Sequence, residues 1–305
     1  MNGIAEALQG AAPYIRLYRQ EVFVIKIGGA VLADAHAAQN VAEQCALLAD
    51  LNIRVVVAHG GGAQASALSR RLGFEPVQVG GRRVTDDGAL EAVKMAFAGQ
   101  VNVDLVSLLR RCGSRPVGLT GLDGGLLVAD KRPPRLVRDD DGAEREVDFG
   151  HVGDIVRVDP TLLERLLDAG FVPVVACLAG DAQGRPLNVN ADAVAEALAV
   201  ALRAKKLIFL TDARGVLRDP ADPSTLVPFG DADDLAGLLA SGAIGGGMRI
   251  KVEACLRAAA GGVKRTHIIN GAAPASLLVE AFTGEGCGTM IVSQREKQSY
   301  QEAGR

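Results

Sequence analysis

The stretch "VFVIKIGGA", residues 22–30, sets the fold. Its first six residues are apolar and mostly β-branched apart from Lys26, and Gly28-Gly29 ends the run at once. That is the pattern of a strand buried on both faces in a parallel sheet. A buried ammonium with no partner would be neutralised or would cost several kcal/mol. Lys26 is therefore expected at the strand's end, facing a cleft.

Outward from this strand the pattern repeats. The runs "IRVVVAH", "PVGLTG", "FVPVVACL", "KLIFLTD", "THIING" and "GTMIV" alternate with segments of helical periodicity. Such alternation predicts an α/β fold whose mainly parallel sheet is covered by helices on both faces. One helix is clearly marked: Asp159 caps it, Pro160 fits its first turn, Leu162, Leu163, Leu166 and Leu167 share a face, and Gly170 stops it. Residues 126–158 break the alternation with Pro-Pro and Asp-Asp-Asp-Gly turns, and read as hairpins on the rim of the first half. The first segment predicts a helix kinked or broken near Pro13, of the kind that serves assembly. The end, "SQREKQSYQEAGR", reads as a frayed tail.

With 305 residues, 49% hydrophobic and 4% aromatic, the chain can bury a large aliphatic core as one big domain or two lobes. A formal net charge of −3 gives no general attraction to nucleic acid or an anionic membrane. The cysteines (Cys45, Cys112, Cys177, Cys255, Cys287) and histidines are scattered, with no C-x-x-C pair and no metal-ligand cluster. Free thiols, no secretory leader and no long uncharged apolar stretch lead to a cytoplasmic expectation.

Glycine clusters follow several predicted strands: "KIGGA", "HGGGAQ", "GLTGLDGG" and "GAIGGGM". Backbone N–H groups in such turns bind anions without basic side chains. Neither G-x-x-x-x-G-K-[ST] nor a well-placed G-x-G-x-x-G occurs, which disfavours a Walker-type ATPase or a standard dinucleotide dehydrogenase. Among the charged residues, Asp192 in "LNVNAD" opens an apolar helix, where a cap is its ordinary role. Lys251 falls in the first turns of another helix and opposes its dipole unless an anion is near. Arg83 is a solvated loop charge or a carboxylate clamp. Together these residues fit a kinase that transfers phosphoryl to a small acid.

With these motifs in place, from "VIKIGGA" and "AHGGGAQ" through "GRRVTDDGALEAVKMAFAGQVN", "LNVNAD", "LIFLTDARGVLRDP" and "GGGMRIKVEAC" to "THIINGAAPASLLVEAFTGEGCGTMI", the chain resembles the acetylglutamate kinases of the amino-acid kinase family over residues 12–293. The resemblance implies an αβα sandwich, with a helical extension over 1–20, an amino-acid-binding and dimerising N-lobe over 21–185, an ATP-binding C-lobe over 186–293 and a tail over 294–305. It implies that Lys26 and Lys251 flank the phosphoryl group and that Asp192 holds both lysines. Gly61, Gly62, Arg83, Asn188 and Asn190 would serve the acid, and Gly28, Gly29, Thr211 and Asp212 the nucleotide. Mg²⁺ would be held mainly by ATP. In the arginine-inhibited hexameric branch, His267, Glu280 and Gly286 would bind arginine. The resemblance also implies a homo-oligomer, dimer or hexamer, and a PII-type signalling protein as a further partner. A kinase of a related acidic amino acid (N-succinylglutamate, carrier-bound aminoadipate, glutamate) and a non-catalytic arginine sensor are the alternatives.

Overall fold

The computed structural model describes residues 2–138 and 144–302. Eight strands form the central sheet: β1 (Val22–Ile27), β2 (Arg54–His59), β3 (Pro116–Thr120), β4 (Val172–Ala176), β5 (Lys206–Thr211), β6 (Phe229–Gly230), β7 (Arg265–Asn270) and β8 (Thr289–Ile291). Their spatial order is β6-β8-β7-β5-β1-β2-β4-β3. The pairs from β7 through to β3 are parallel, and β8 lies antiparallel to β7. The sheet predicted from the apolar runs is thus present and mainly parallel; the two-residue edge strand β6 is too short to give a sequence signal.

The helices that matter below are α1 (Asn2–Tyr18), α2 (Ala35–Asp50), α3 (Gly62–Arg71), α4 (Ala191–Ala201), α5 (Gly246–Ala260) and α6 (Ser276–Phe282). Strand alternation sends Val24, Val56, Ala58 and Phe209 to one face, where they pack with Leu198 of α4 and Val252 of α5. Phe23, Ile25, Val55 and Val57 point to the other face, against Val41 of α2, Leu277 of α6 and Leu105 of the helix Asn102–Arg111. Two apolar layers, one on each side of a single sheet, make the αβα sandwich.

Local expectations fare unevenly. The marked helix runs Thr161–Asp168, with Asp159 accepting the Thr161 N–H at 3.1 Å and Gly170 at φ 74° just beyond it. Residues 127–158 do form antiparallel hairpins, Leu127–Lys131 with Gly153–Val158 and Arg135–Arg138 with Glu144–Val147, and the expected Asp-Asp-Asp-Gly turn lies outside the described residues. Helix α1 continues through Pro13 without a break. The tail is a helix, Gln294–Glu302, fastened by Lys297 to Asp231 at 3.3 Å and to Asp234 at 2.6 Å. Ion pairs across distant segments hold a stretch whose composition alone reads as solvated.

The core sets a first measurable expectation. Leu198 is fully buried between α4 and the sheet. Leu198→Ala should lower unfolding free energy by about 2–5 kcal/mol, read from urea denaturation with an unchanged slope.

Candidate functional site

Lys26 is the penultimate residue of β1, paired with Ala58 of β2 and Phe209 of β5 in the middle of the sheet. Its ammonium lies 2.8 Å from Asp192 Oδ1. Lys251, from the second turn of α5, donates to Asp192 Oδ2 at 3.1 Å. One carboxylate therefore bridges two cations brought from β1 and α5, and all three side chains are nearly buried.

Asp192 is free for this because it is not the cap of α4. The Asn190 side chain caps instead, accepting the Asp192 N–H at 2.7 Å and the Ala193 N–H at 3.3 Å. Asp192 then stands in the first turn, where the helix dipole favours an acid. Burial pulls its carboxyl up, but Lys26 and Lys251 outweigh that and leave it below its ordinary value.

Lys26 and Asp192 form one wall of a cleft of about 550 Å³ beyond the carboxyl ends of the strands, where ligands of parallel α/β sheets bind. Gly60, Gly61 and Gly62 face it from the turn between β2 and α3, and Gly29 from the turn after β1. The N-terminus of α3 brings unpaired backbone N–H groups to this edge. Arg83 closes another side, donating through Nη2 to Gly62 O at 2.7 Å and to Ser66 Oγ at 2.5 Å. Its Nη1 is buried without a protein partner, which leaves a charged donor for a ligand. Asn188 and Asn190 line the same cleft, and Asn188 Nδ2 is oriented by Thr85 Oγ1 at 3.1 Å.

Not every sequence candidate meets there. Gly28, Thr211 and Asp212 lie at the ends of β1 and β5, tied by the Gly28 N–H to Leu210 O at 2.8 Å, and do not line this cleft. Lys251 reaches it only through Asp192. "GLTGLDGG" lines no part of it, and "GAIGGGM" joins two helices instead of ending a strand. Conversely, Arg132, Arg135 and Asp154 of the rim hairpins line the mouth, with Asp154 accepting from both arginines. Pairing across a polar segment leaves no sequence signal.

A second cavity of about 660 Å³ opens at the amino ends of β5 and β7. Glu280 of α6 accepts His267 Nδ1–H at 2.6 Å and the Cys287 N–H at 2.7 Å, and a Cβ on Gly286, at φ 64°, would come within 3.1 Å of the same carboxylate. Burial raises the Glu280 carboxyl, yet the His267 contact, the Cys287 N–H and the charge of Lys206 leave it below its ordinary value. Lys206, which sequence reading passed over, forms the floor. Its ammonium donates to Glu280 O at 3.0 Å and lies 5.1 Å from the Tyr18 ring centroid, and burial brings its pKa to about 7.

A mainly parallel αβα sandwich with paired lysines at the carboxyl edge and glycine turns around them defines an α/β protein built to hold anions. The chain belongs to the amino acid kinase family, whose model matches residues 21–270. It is 45% identical over 293 residues to an acetylglutamate kinase of Myxococcus xanthus, covering 96% of this chain and 95% of that one. An acetylglutamate kinase of Heliobacterium modesticaldum is 43% identical, covering 94% and 97% respectively. Among solved structures, an N-acetylglutamate synthase of Neisseria gonorrhoeae complexed with coenzyme A and N-acetyl-glutamate aligns with a TM-score of 0.79 and 31% identity. That match covers 94% of this chain, which spans 63% of the synthase's length.

Two buried imidazoles make this fold sensitive to acid. Burial, the largest cause for each, brings His59 and His267 from 6.5 to about 4. The unfolded chain takes up these protons near its ordinary value, while the folded chain resists them until about 4. Stability should be full above about pH 6.5 and fall progressively toward about pH 4, as denaturation midpoints at about pH 7 and about pH 5 will show.

Proposed function

We infer that this chain transfers the γ-phosphoryl group of ATP to the side-chain carboxylate of N-acetyl-L-glutamate, giving N-acetylglutamyl 5-phosphate for arginine biosynthesis. The observation that carries the reading is the Lys26–Asp192–Lys251 array beside the Gly60–Gly62 turn and Arg83. The acceptor carboxylate, with a reference pKa of about 4.3, is already ionised at neutral pH, so no general base is required. The barrier is repulsion between that anion and the triphosphate. Lys26 and Lys251 flank the phosphoryl group and offset its charge as it moves, and Asp192 fixes the distance between them. The free Arg83 Nη1 takes the acid's α-carboxylate, while Gly61, Gly62, Asn188 and Asn190 hold the rest of the molecule.

We assign the nucleotide to Gly28, Gly29, Thr211 and Asp212 at the ends of β1 and β5, with residues 21–185 serving mainly the acid and 186–293 mainly ATP. No group of three or more His, Cys, Asp or Glu among the described residues could hold a metal, and Asp192 is already committed to two lysines. Mg²⁺ would be held mainly by the nucleotide, where it would neutralise charge on the phosphate oxygens.

The second cavity is assigned to arginine as inhibitor, as in the hexameric branch of this family, with α1 linking subunits and a PII-type protein as a further regulator. The buried Glu280 carboxylate supports a guanidinium there, with His267 and Gly286 beside it, and Lys206 supports a carboxylate.

Three measurements follow. Incubation with Mg-ATP, N-acetylglutamate and hydroxylamine should yield a trapped hydroxamate; signal only with another acid would replace the acceptor. Lys26→Met and Lys251→Met should each fold yet lower kcat on the order of 10²- to 10³-fold, and near-wild-type turnover in either would reject its role. Millimolar arginine should inhibit, and Glu280→Gln should raise the concentration needed by about tenfold or more through loss of a charge-assisted contact. Equal turnover with and without arginine would remove that assignment.

A further inference from the structure

His59 ends β2 and is fully buried, yet it does not line the cleft. By strand alternation it shares a face with Val55 and Val57, opposite the face that carries Lys26. Both ring nitrogens are engaged. Nδ1–H donates to Gly60 O at 2.9 Å, and Nε2 accepts from Asn102 Nδ2 at 2.9 Å. This tautomer follows from the partners, because an amide nitrogen can only donate and a carbonyl can only accept. The second amide hydrogen of Asn102 goes to Val174 O at 3.0 Å, which ties the pair to β4. Gly118 of β3 makes room for it, since a Cβ there would come within 2.1 Å of Asn102 Oδ1.

Asn102 arrives at this point through an irregularity in its helix. The helical run Asp87–Lys94 passes into a π-helical stretch, Met95–Val101, and resumes as an α-helix at Asn102. A wider turn shifts the residues that follow it around the helix axis, and such turns concentrate at functional sites. The same stretch presses Phe97 and Val101 on the glycine turn. A Cβ on Gly61 would meet Phe97 Cδ1 at 3.0 Å and Val101 Cγ2 at 3.1 Å.

We propose that His59 and Asn102 are positioning residues that set the Gly60–Gly62 turn from behind the sheet, and so govern the affinity for the acceptor acid. The inference rests on the assignment of that turn to the acid. Three successive glycines have no side chains to hold their conformation and lose the most freedom on ordering. The carbonyl of Gly60 is held by His59, His59 by Asn102, and Asn102 by the strand next door. Neither side chain reaches the cleft, so the effect falls on acid binding, with ATP binding and phosphoryl transfer largely kept.

His59→Leu removes both ring contacts, Asn102→Leu removes the amide, and His59→Gln keeps an acceptor toward Asn102. Loss of a single such hydrogen bond should raise KM for N-acetylglutamate by about tenfold while KM for ATP stays within about twofold. His59→Gln should recover part of that loss, and calorimetric titration of N-acetylglutamate should follow the same order. Thermal melts check folding, and if His59→Leu does not fold, Asn102→Leu and His59→Gln decide. An unchanged KM for the acid, or equal rises for acid and ATP, overturns the proposal. Wild-type turnover tests the acceptor separately, and if another acid is the substrate the comparison moves to that acid.

Discussion

One carboxylate shared by two lysines is the contact on which the site depends. Two ammonium groups converging on the end of a buried strand repel each other and lose hydration, and each would be costly alone. Asp192 offsets both terms because it is buried with them at 2.8 and 3.1 Å. The surrounding fold supplies what that contact needs. Strand β1 lies in the middle of the sheet, α4 starts beside its carboxyl end, and α5 packs on α4 so that Lys251 reaches the same acid. The cap comes from Asn190, which leaves the acid in the first turn with both oxygens available to the lysines. A cap made by Asp192 itself would consume an oxygen on backbone N–H groups and leave one lysine short of its partner.

The large elements were legible because their signals are local. Apolar runs of strand length, helical periodicity between them and glycine at the turns gave the α/β sandwich. Lys26 was legible for a related reason: a lysine inside a buried run demands an explanation. Asp192 was ambiguous, since an acid at a helix start is ordinarily a cap, and only the geometry shows Asn190 in that role. Lys206 carries the same signature as Lys26 but stands first in its strand, where a lysine is unremarkable on the surface; here α1 and α6 close over it. His59 and Asn102 could not be paired from sequence. They are 43 residues apart, and a π-helical stretch changes the phase on which helical periodicity relies. The rim arginines and the tail helix were missed because polar segments read as solvated until their ion-pair partners are known.

The two buried lysines show how differently one sheet can treat the same group. Lys26 pairs in register with Phe209, and Lys206 with Phe23, so they sit on the same β1–β5 ladder, toward opposite ends. Alternation places Lys26 with Val24 on one face and Lys206 with Ile208 on the other. Lys26 has a carboxylate in contact. Lys206 has a backbone carbonyl and an aromatic face in contact, and burial with the charge of Arg265 brings it to about 7 against the pull of Glu280. Its charged form is therefore held less firmly than that of an exposed lysine. An anion entering that cavity would favour the charged form and gain from doing so, whereas the Lys26 ammonium already has its partner. The Asp192 carboxylate keeps one buried ammonium paired without any ligand. Lys206, held by a carbonyl and an aromatic face, depends more on the charges around it.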